Sequence, residues 1–254
     1  MFKLAMIVYG GSICLFLQYV MQAHFVFTRK GKIFWTILLG LVLSMIEATL
    51  VLFYFYTDIN DTTQAVLGCF ISVLWFTIIQ IATVLSVVRL KSLGNYMYFD
   101  KYLDYIPPIV AFLELPKAVS IILGSLELLA LPHEYYGFST FLFSASAIVV
   151  EVGLYYMLHL KLNHIMELQP NKLKRLSFTI KFTTAIVLLL EFGIIVAKWI
   201  HMNINESINI DFSMRPLAQI LRIYIIIQFY SDLLVFAQKQ IDFRNSELGR
   251  PSNV

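Results

Sequence analysis

The sequence has little charge for its length. Lys, Arg, Asp and Glu together make up 14% of its 254 residues, whereas apolar residues make up 59%. A soluble domain of this size carries nearly twice that share of charged residues. This scarcity excludes an ordinary soluble domain and indicates an integral membrane protein.

Cysteine and catalytic motifs are scarce as well. The two cysteines, Cys14 and Cys69, both lie inside apolar runs, so we expect no external disulfide. The chain has no H-E-x-x-H, no G-x-S-x-G, no phosphate-binding loop and no dinucleotide-binding glycine pattern. Its five histidines are scattered among the ends and connections of the apolar runs. We therefore expect no enzymatic activity, no metal site and no cofactor.

Seven apolar runs are long enough to cross a bilayer, which takes about 20 helical residues. They predict an all-α membrane protein, a bundle of seven transmembrane helices within residues 1–238, followed by a short cytoplasmic tail at 239–254. The predicted helices span about residues 4–27, 33–56, 64–88, 108–131, 138–160, 178–200 and 216–237. Glu114, Pro116 and Lys117 interrupt the fourth run, and we expect the proline to kink that helix.

The basic residues predict the orientation of the chain. They are concentrated after the first, third and fifth runs and in the tail, as Arg29, Lys91 and Lys161 illustrate. The alternate connections hold few, among them Arg215. Because basic loops stay in the cytoplasm, the N-terminus is predicted outside and the C-terminus in the cytoplasm, which requires an odd number of crossings.

Two N-x-[ST] sequons support the same orientation. Asn60 and Asn205 begin these sequons, and both lie in connections predicted to be outside. They are candidate glycosylation sites. Their shared side favours a multi-pass protein of the secretory pathway or the plasma membrane.

Ionisable side chains lie unusually deep in the predicted helices. Glu47, Glu151 and Glu191 each fall within about 4 Å of a helix midpoint, and Lys117 is similarly deep. An ionised group at that depth costs at least ~2.5–3.5 kcal/mol, so these side chains are expected to face one another or a wet cavity. At least one of the three glutamates should then be protonated at neutral pH or bind a cation. The candidate ligand- or ion-binding residues near the midplane are Glu47, Glu151, Glu191, Lys117, Arg222, Asp232, Gln80 and Gln228.

A structural alternative exists for each of these groups, because protonated carboxyl and amide side chains also hold membrane helices together by hydrogen bonds. Lys117 is expected to pair with Glu114, one helical turn away. The segment 96–105 interleaves aromatic and charged residues, and we expect it to lie along the cytoplasmic interface.

The predicted topology, with seven helices, an outside N-terminus and a cytoplasmic C-terminus, resembles that of G-protein-coupled receptors. The resemblance is limited to topology. The third run ends with Val88 before Arg89 where those receptors have an acid, the last run has no N-P-x-x-Y, and Cys69 has no external partner. A resemblance of topology implies the helical bundle and no activity.

Three functions remain open at this point. The first is binding or transport of a small solute or ion through a midplane carboxylate site, coupled to protons or cations. The second is a receptor-like protein that signals to a cytoplasmic protein partner, and the third is a non-catalytic membrane scaffold or assembly protein. The lipid bilayer is the expected partner in each case. No nucleic-acid partner is expected, because the basic residues flank the apolar runs instead of forming one patch.

Overall fold

The computed structural model describes residues 2–27, 31–57, 60–93, 97–125, 149–150 and 152–164, together with scattered positions between 178 and 231. Every regular element among these residues is helical, so the prediction of an all-α protein is confirmed for this part of the chain. The sequon residue Asn205 and the tail at 239–254 lie outside the described residues.

Three long helices open the chain: α1 (Phe2–Val26), α2 (Lys32–Tyr56) and α3 (Asp61–Ser92). In the described part of the chain, these three are long and apolar enough to cross a membrane. A 3-10 helix (Tyr98–Tyr105) and α4 (Ile106–Ser125) follow, and Pro116 lies inside α4. The described part of the chain is therefore all-helical with three candidate membrane-spanning helices, which is compatible with a membrane protein, and the count of seven crossings stays a prediction.

The later runs are helical wherever they are described. Residues 149–150 and 152–164 are helical, so this element continues beyond residue 160, where the apolar run ends, to His164. The described positions between 178 and 196, and between 217 and 231, are helical too. We call residues 152–164 the 152–164 helix, and we call the described positions between 217 and 231 the 217–231 segment.

The start of α3 is fixed by a polar cap. The side-chain Oδ1 of Asn60 accepts a hydrogen bond from the Thr63 N–H at 2.9 Å, and its backbone carbonyl accepts one from the Gln64 N–H at 3.0 Å. Asp61 places a carboxylate in the first turn, where the helix dipole favours negative charge. The asparagine that begins the first sequon thus has a structural role as the N-cap of α3.

Replacing Asn60 with alanine should lower the stability of the folded chain by about 1 kcal/mol, because the Thr63 N–H loses its acceptor. Asn60→Asp is the matched control, since it keeps a capping oxygen and removes the glycan acceptor in the same way. Thermal unfolding in detergent checks the difference. Equal unfolding temperatures for the two variants would contradict a capping role.

The largest hydrophobic core lies where the ends of several helices meet. It joins the last turns of α1 and α3 and the first turns of α2 to the 3-10 helix, the 152–164 helix and the 217–231 segment. Ala23, Phe34, Leu90, Leu103 and Leu162 represent five of these six parts. The prediction places these ends on the cytoplasmic side.

Large apolar side chains cover much of the outer surface of the helices. Ile7, Phe25, Phe70 and Phe112 are among the most exposed. Exposed apolar surface of this extent marks a protein that contacts a membrane or a partner. On helices long enough to span a bilayer, it fits contact with lipid.

Candidate functional site

A buried carboxylate lies among small hydroxyl side chains in the first three helices. Glu47 in α2 is only 1% exposed, and Ser44, one turn earlier on the same face, is fully buried. Ser12 in α1 and Ser72 in α3 are buried as well. Each of the first three helices therefore contributes buried polar side chains to this part of the protein.

Contacts between α1 and α2 place one of these serines level with the carboxylate. The hydroxyl groups of Tyr9 and Thr49 are 2.9 Å apart, and the rings of Phe27 and Phe34 pack at 6.1 Å between centroids. The two helices therefore run antiparallel. Ser12, one turn after Tyr9, lies within about 3 Å of the level of the α2 carboxylate.

A second contact relates α3 to the same level. A Cβ added at Gly40 would lie 3.1 Å from Cγ2 of Ile81, and the short connection between α2 and α3 makes these helices antiparallel neighbours. Ser72 lies nine residues before Ile81 in α3, and Thr49 lies nine residues after Gly40 in α2, so Ser72 is level with Thr49. Because Thr49 is two residues from Glu47, Ser72 lies within about 3 Å of the level of Glu47. We call Ser12, Ser44, Glu47 and Ser72 the Glu47 layer.

The serine hydroxyls of the Glu47 layer all lie within hydrogen-bond distance of carbonyl groups of their own helices. Each donates to a carbonyl four residues earlier in its own helix: Ser12 to Val8 at 2.8 Å, Ser44 to Gly40 at 2.8 Å, and Ser72 to Gly68 at 2.9 Å. A hydroxyl that donates in this way keeps its oxygen lone pairs as acceptors. The layer therefore presents carboxylate and hydroxyl oxygens, the chemistry that suits a proton or a hard cation.

The described part of the chain brings together no set of His, Cys, Asp and Glu side chains that could hold a metal ion. Among the described residues, no three such side chains are close enough to share an ion. The Glu47 layer is built from one carboxylate and three hydroxyls, so it is a different kind of site from a metal centre with nitrogen or sulfur ligands.

A second polar pair joins α3 to α4. Glu114 is 1% exposed, and the Gln80 amide nitrogen lies 3.4 Å from its Oε2. In the flipped orientation of the Gln80 amide, its nitrogen donates to Pro107 O at 3.2 Å and its oxygen accepts from the Ala111 N–H at 3.1 Å. Gln80 contacts α4 in either orientation. Since Gln80 is level with Gly40, this pair lies about 10 Å from the Glu47 layer along the helices.

A third polar pair joins α1 to the 217–231 segment. The Gln22 amide donates to Oε1 of Gln228 at 2.8 Å, and the rings of Tyr19 and Tyr224 stack beside it with centroids 4.3 Å apart. Gln228 was predicted as a site residue, whereas Gln22 was not singled out. Their mutual bond joins α1 to the 217–231 segment and gives the pair a structural role.

The described side chains thus include Glu47, Gln80 and Gln228 of the predicted site, in three separate arrangements. Glu151, Glu191, Arg222 and Asp232 lie outside the described residues, as does the Lys117 side chain and hence its pairing with Glu114. Convergence of the three midplane glutamates on one cavity stays a prediction.

No family model, curated protein or solved structure matches this chain. The function must therefore be argued from the residues and their geometry.

The structure also shows a buried ion pair that the sequence analysis did not identify. Lys161, in the 152–164 helix, is fully buried, and its Nζ forms an ion pair with Asp100 of the 3-10 helix. The same Nζ donates to Leu90 O, near the end of α3, at 2.9 Å. The second carboxylate oxygen of Asp100 accepts from the Met97 N–H at 2.8 Å. One lysine therefore connects three helices.

Further buried polar groups lie at the same end of α3, whose Leu90 carbonyl accepts from Lys161. Arg89 is buried in the last turns of α3, and the Ser92 hydroxyl donates to its carbonyl at 2.7 Å. Tyr230 of the 217–231 segment is buried beside Arg89 and Ser92. We call Arg89, Asp100, Lys161 and Tyr230 the α3-end cluster. It lies at the end of the bundle that the prediction assigns to the cytoplasm.

One pattern in the sequence could have identified the buried lysine. Leu154, Leu158 and Leu162 continue an apolar stripe at four-residue spacing across the end of the predicted run. Lys161 lies three residues after Leu158 and shares its helix face. Because Lys161 is charged, it marks the end of the apolar run and is assigned to the loop that follows. The leucine stripe instead places Lys161 on the face of the helix that packs against the protein.

Proposed function

We propose that this protein is a seven-helix membrane protein that binds or moves a small solute or ion, with a proton or cation held at Glu47. One observation carries the proposal: a carboxylate that is almost completely buried, in a helix long and apolar enough to span a membrane, lies level with buried serine hydroxyls whose oxygens keep acceptor capacity. A buried carboxylate in such a helix is costly unless a proton, a cation or a donor offsets its charge. A site that gains and loses such an ion is the basis of coupled transport.

Glu47→Gln should abolish coupling while preserving the shape of the side chain. We expect proton flux to fall at least ~10-fold in proteoliposomes loaded with a pH-sensitive dye, because the amide cannot release a proton at physiological pH. Asp61→Asn is the matched control, since this exposed carboxylate in the first turn of α3 belongs to no buried layer. Both variants are compared with the parent chain for unfolding temperature.

Flux that is unchanged in Glu47→Gln would overturn the assignment to this residue. Ser44→Ala provides a graded variant, because it removes one hydroxyl acceptor of the Glu47 layer and leaves the carboxylate. A cation site predicts that Ser44→Ala weakens sodium-dependent flux more than proton flux, since sodium needs several oxygen ligands.

A receptor-like function is the second candidate, and the α3-end cluster favours it. The Asp100–Lys161 ion pair joins the connection after α3 to the 152–164 helix, both at the predicted cytoplasmic end. A change in helix arrangement at that end would alter the surface that a cytoplasmic partner meets. This function predicts no flux, together with ligand-dependent binding of such a partner.

A scaffold or assembly function is the third candidate. The Gln22–Gln228 and Tyr9–Thr49 bonds show polar side chains acting as contacts between helices. This function predicts that Glu47→Gln, Glu151→Gln and Glu191→Gln all leave the phenotype unchanged. For all three candidates we propose a membrane of the secretory pathway or the cell surface, with Asn60 and Asn205 on the outer side.

A further inference from the structure

A stripe of exposed side chains runs without interruption from the 3-10 helix into α4. Tyr98, Tyr102, Tyr105, Ile109 and Phe112 are all exposed, and they follow one another at spacings of four and three residues. From Tyr105 into α4, this spacing places Tyr105, Ile109 and Phe112 on one helix face. In the 3-10 helix, which has three residues per turn, Tyr102 lies one turn before Tyr105, and the rings of Tyr98 and Tyr102 contact each other with centroids 5.9 Å apart. The two elements therefore present one continuous outer surface.

The chemistry of the stripe changes along its length. The 3-10 helix contributes three tyrosines, whose rings are apolar and whose hydroxyls are polar, and α4 then contributes hydrocarbon side chains such as Ile109 and Phe112. Tyrosine is enriched where a bilayer meets water, and purely apolar side chains face the acyl chains. The change after Tyr105 therefore marks the boundary between headgroups and hydrocarbon on this face.

A cation is held among the tyrosines at the headgroup level. The Lys101 Nζ lies 4.1 Å from the centroid of the Tyr98 ring and 4.8 Å from that of Tyr102. The two hydroxyl oxygens are 3.5 Å apart. Hydrogen bonds from Tyr102 and Lys101 lower the pKa of Tyr98, which is consistent with donors converging on one place. An ammonium beside two hydroxyl groups can bind a phosphate oxygen.

Neighbouring acids do not cancel this positive charge. Asp100 is paired with the buried Lys161, and Asp104 is paired with Lys91. With Asp100 offset by Lys161 and the exposed Asp104 offset by Lys91 of α3, the charge of Lys101 is left over in this group of five ionisable side chains. An anion is the complementary partner.

The opposite face of the 3-10 helix is fixed to the protein core. Leu103 is fully buried, and the ion pair with Lys161 holds Asp100. The outer tyrosines and Lys101 are thus presented by a backbone that packing has already placed. Such preorganisation lowers the entropic cost of binding.

We propose that Tyr98, Lys101 and Tyr102 form a binding surface for the phosphate of an anionic lipid headgroup, in the leaflet at which α4 begins. The lipid's acyl chains then lie along Ile109 and Phe112. The surface is independent of the Glu47 layer, so failure of the transport proposal does not affect it.

The test uses the full chain in nanodiscs of phosphatidylcholine with increasing amounts of phosphatidylserine, and it measures hydrogen exchange in the peptide 97–105. Phosphatidylserine should slow exchange there in the parent chain. Lys101→Gln should raise the phosphatidylserine fraction needed for half-maximal protection about fivefold, the effect expected for one basic residue near an anionic surface. Tyr98→Phe with Tyr102→Phe, which keeps both rings, should give a smaller shift in the same direction.

Lys32→Gln is the matched charge control. Lys32 is an exposed lysine at the start of α2, on the same predicted side of the membrane. The Lys32→Gln variant should therefore leave the hydrogen-exchange protection of residues 97–105 unchanged. Equal exchange in the two lipids, or equal losses in Lys101→Gln and Lys32→Gln, would overturn the proposal. Protection by inorganic phosphate in phosphatidylcholine discs would show a free-phosphate site and would also overturn the lipid assignment.

Discussion

Lys161→Met is expected to destabilise the folded chain by about 3–5 kcal/mol, the usual cost of removing one partner from a buried ion pair. Methionine fills a similar volume, so the loss comes from charge and hydrogen bonding more than from packing. The variant would leave the buried Asp100 carboxylate without its cation and Leu90 O without its side-chain donor. Chemical unfolding in a mild detergent, followed by circular dichroism, measures the loss.

A second variant separates charge from packing. Lys161→Met combined with Asp100→Asn removes both charges, and it should recover much of the lost stability, because an apolar and a neutral group replace an uncompensated carboxylate. Lys91→Met is the surface control. Its ion pair with Asp104 is exposed, and such pairs contribute about 0–1 kcal/mol. Similar losses in Lys91→Met and Lys161→Met would contradict the role given to the buried pair.

The sequence predicted the first helices well, because long apolar runs determine them. The predicted segment 33–56 corresponds closely to α2 (Lys32–Tyr56). The errors occur at polar ends. The segment 64–88 was shorter than α3 (Asp61–Ser92), since Asn60 caps the helix ahead of the apolar run and Arg89 and Lys91 continue it afterwards. Hydropathy measures depth in the membrane, whereas helix ends depend on backbone hydrogen bonds.

The sequence could place polar groups within helices, but it could not identify their partners. Glu47 is buried and Gln80 is half-buried within the protein, and their depth in the membrane stays a prediction. Gln22 and Gln228 form a bond across 206 positions of the chain, and no local pattern contains that information. Lys161 shows the same limit for charge, because its burial depends on Asp100, which belongs to another element.

Among the described glycines, Gly40 is one at which an added Cβ would contact other helices. A Cβ built on Gly40 of α2 would lie 2.9 Å from Cδ1 of Ile223 and 3.1 Å from Cγ2 of Ile81. Gly40 therefore lies where α2 closely approaches both α3 and the 217–231 segment. Gly40→Leu would place a whole isobutyl group in that space. We expect a loss of about 3 kcal/mol, at the upper end of what overpacking usually costs.

Two matched variants show whether the cost arises from this contact. Gly40→Ala should be nearly neutral, because the atom nearest its Cβ is the end of a flexible isoleucine and because alanine favours the helix by up to ~1 kcal/mol over glycine. Gly11→Leu in α1 should also be nearly neutral, since nothing lies within 4 Å of a Cβ at that position. The three unfolding free energies are compared in one detergent. If Gly11→Leu cost as much as Gly40→Leu, the loss would reflect leucine in a membrane helix in general. A loss confined to Gly40→Leu would show that α2, α3 and the 217–231 segment pack against one another at this point, which is the arrangement that brings Ser72 level with Glu47.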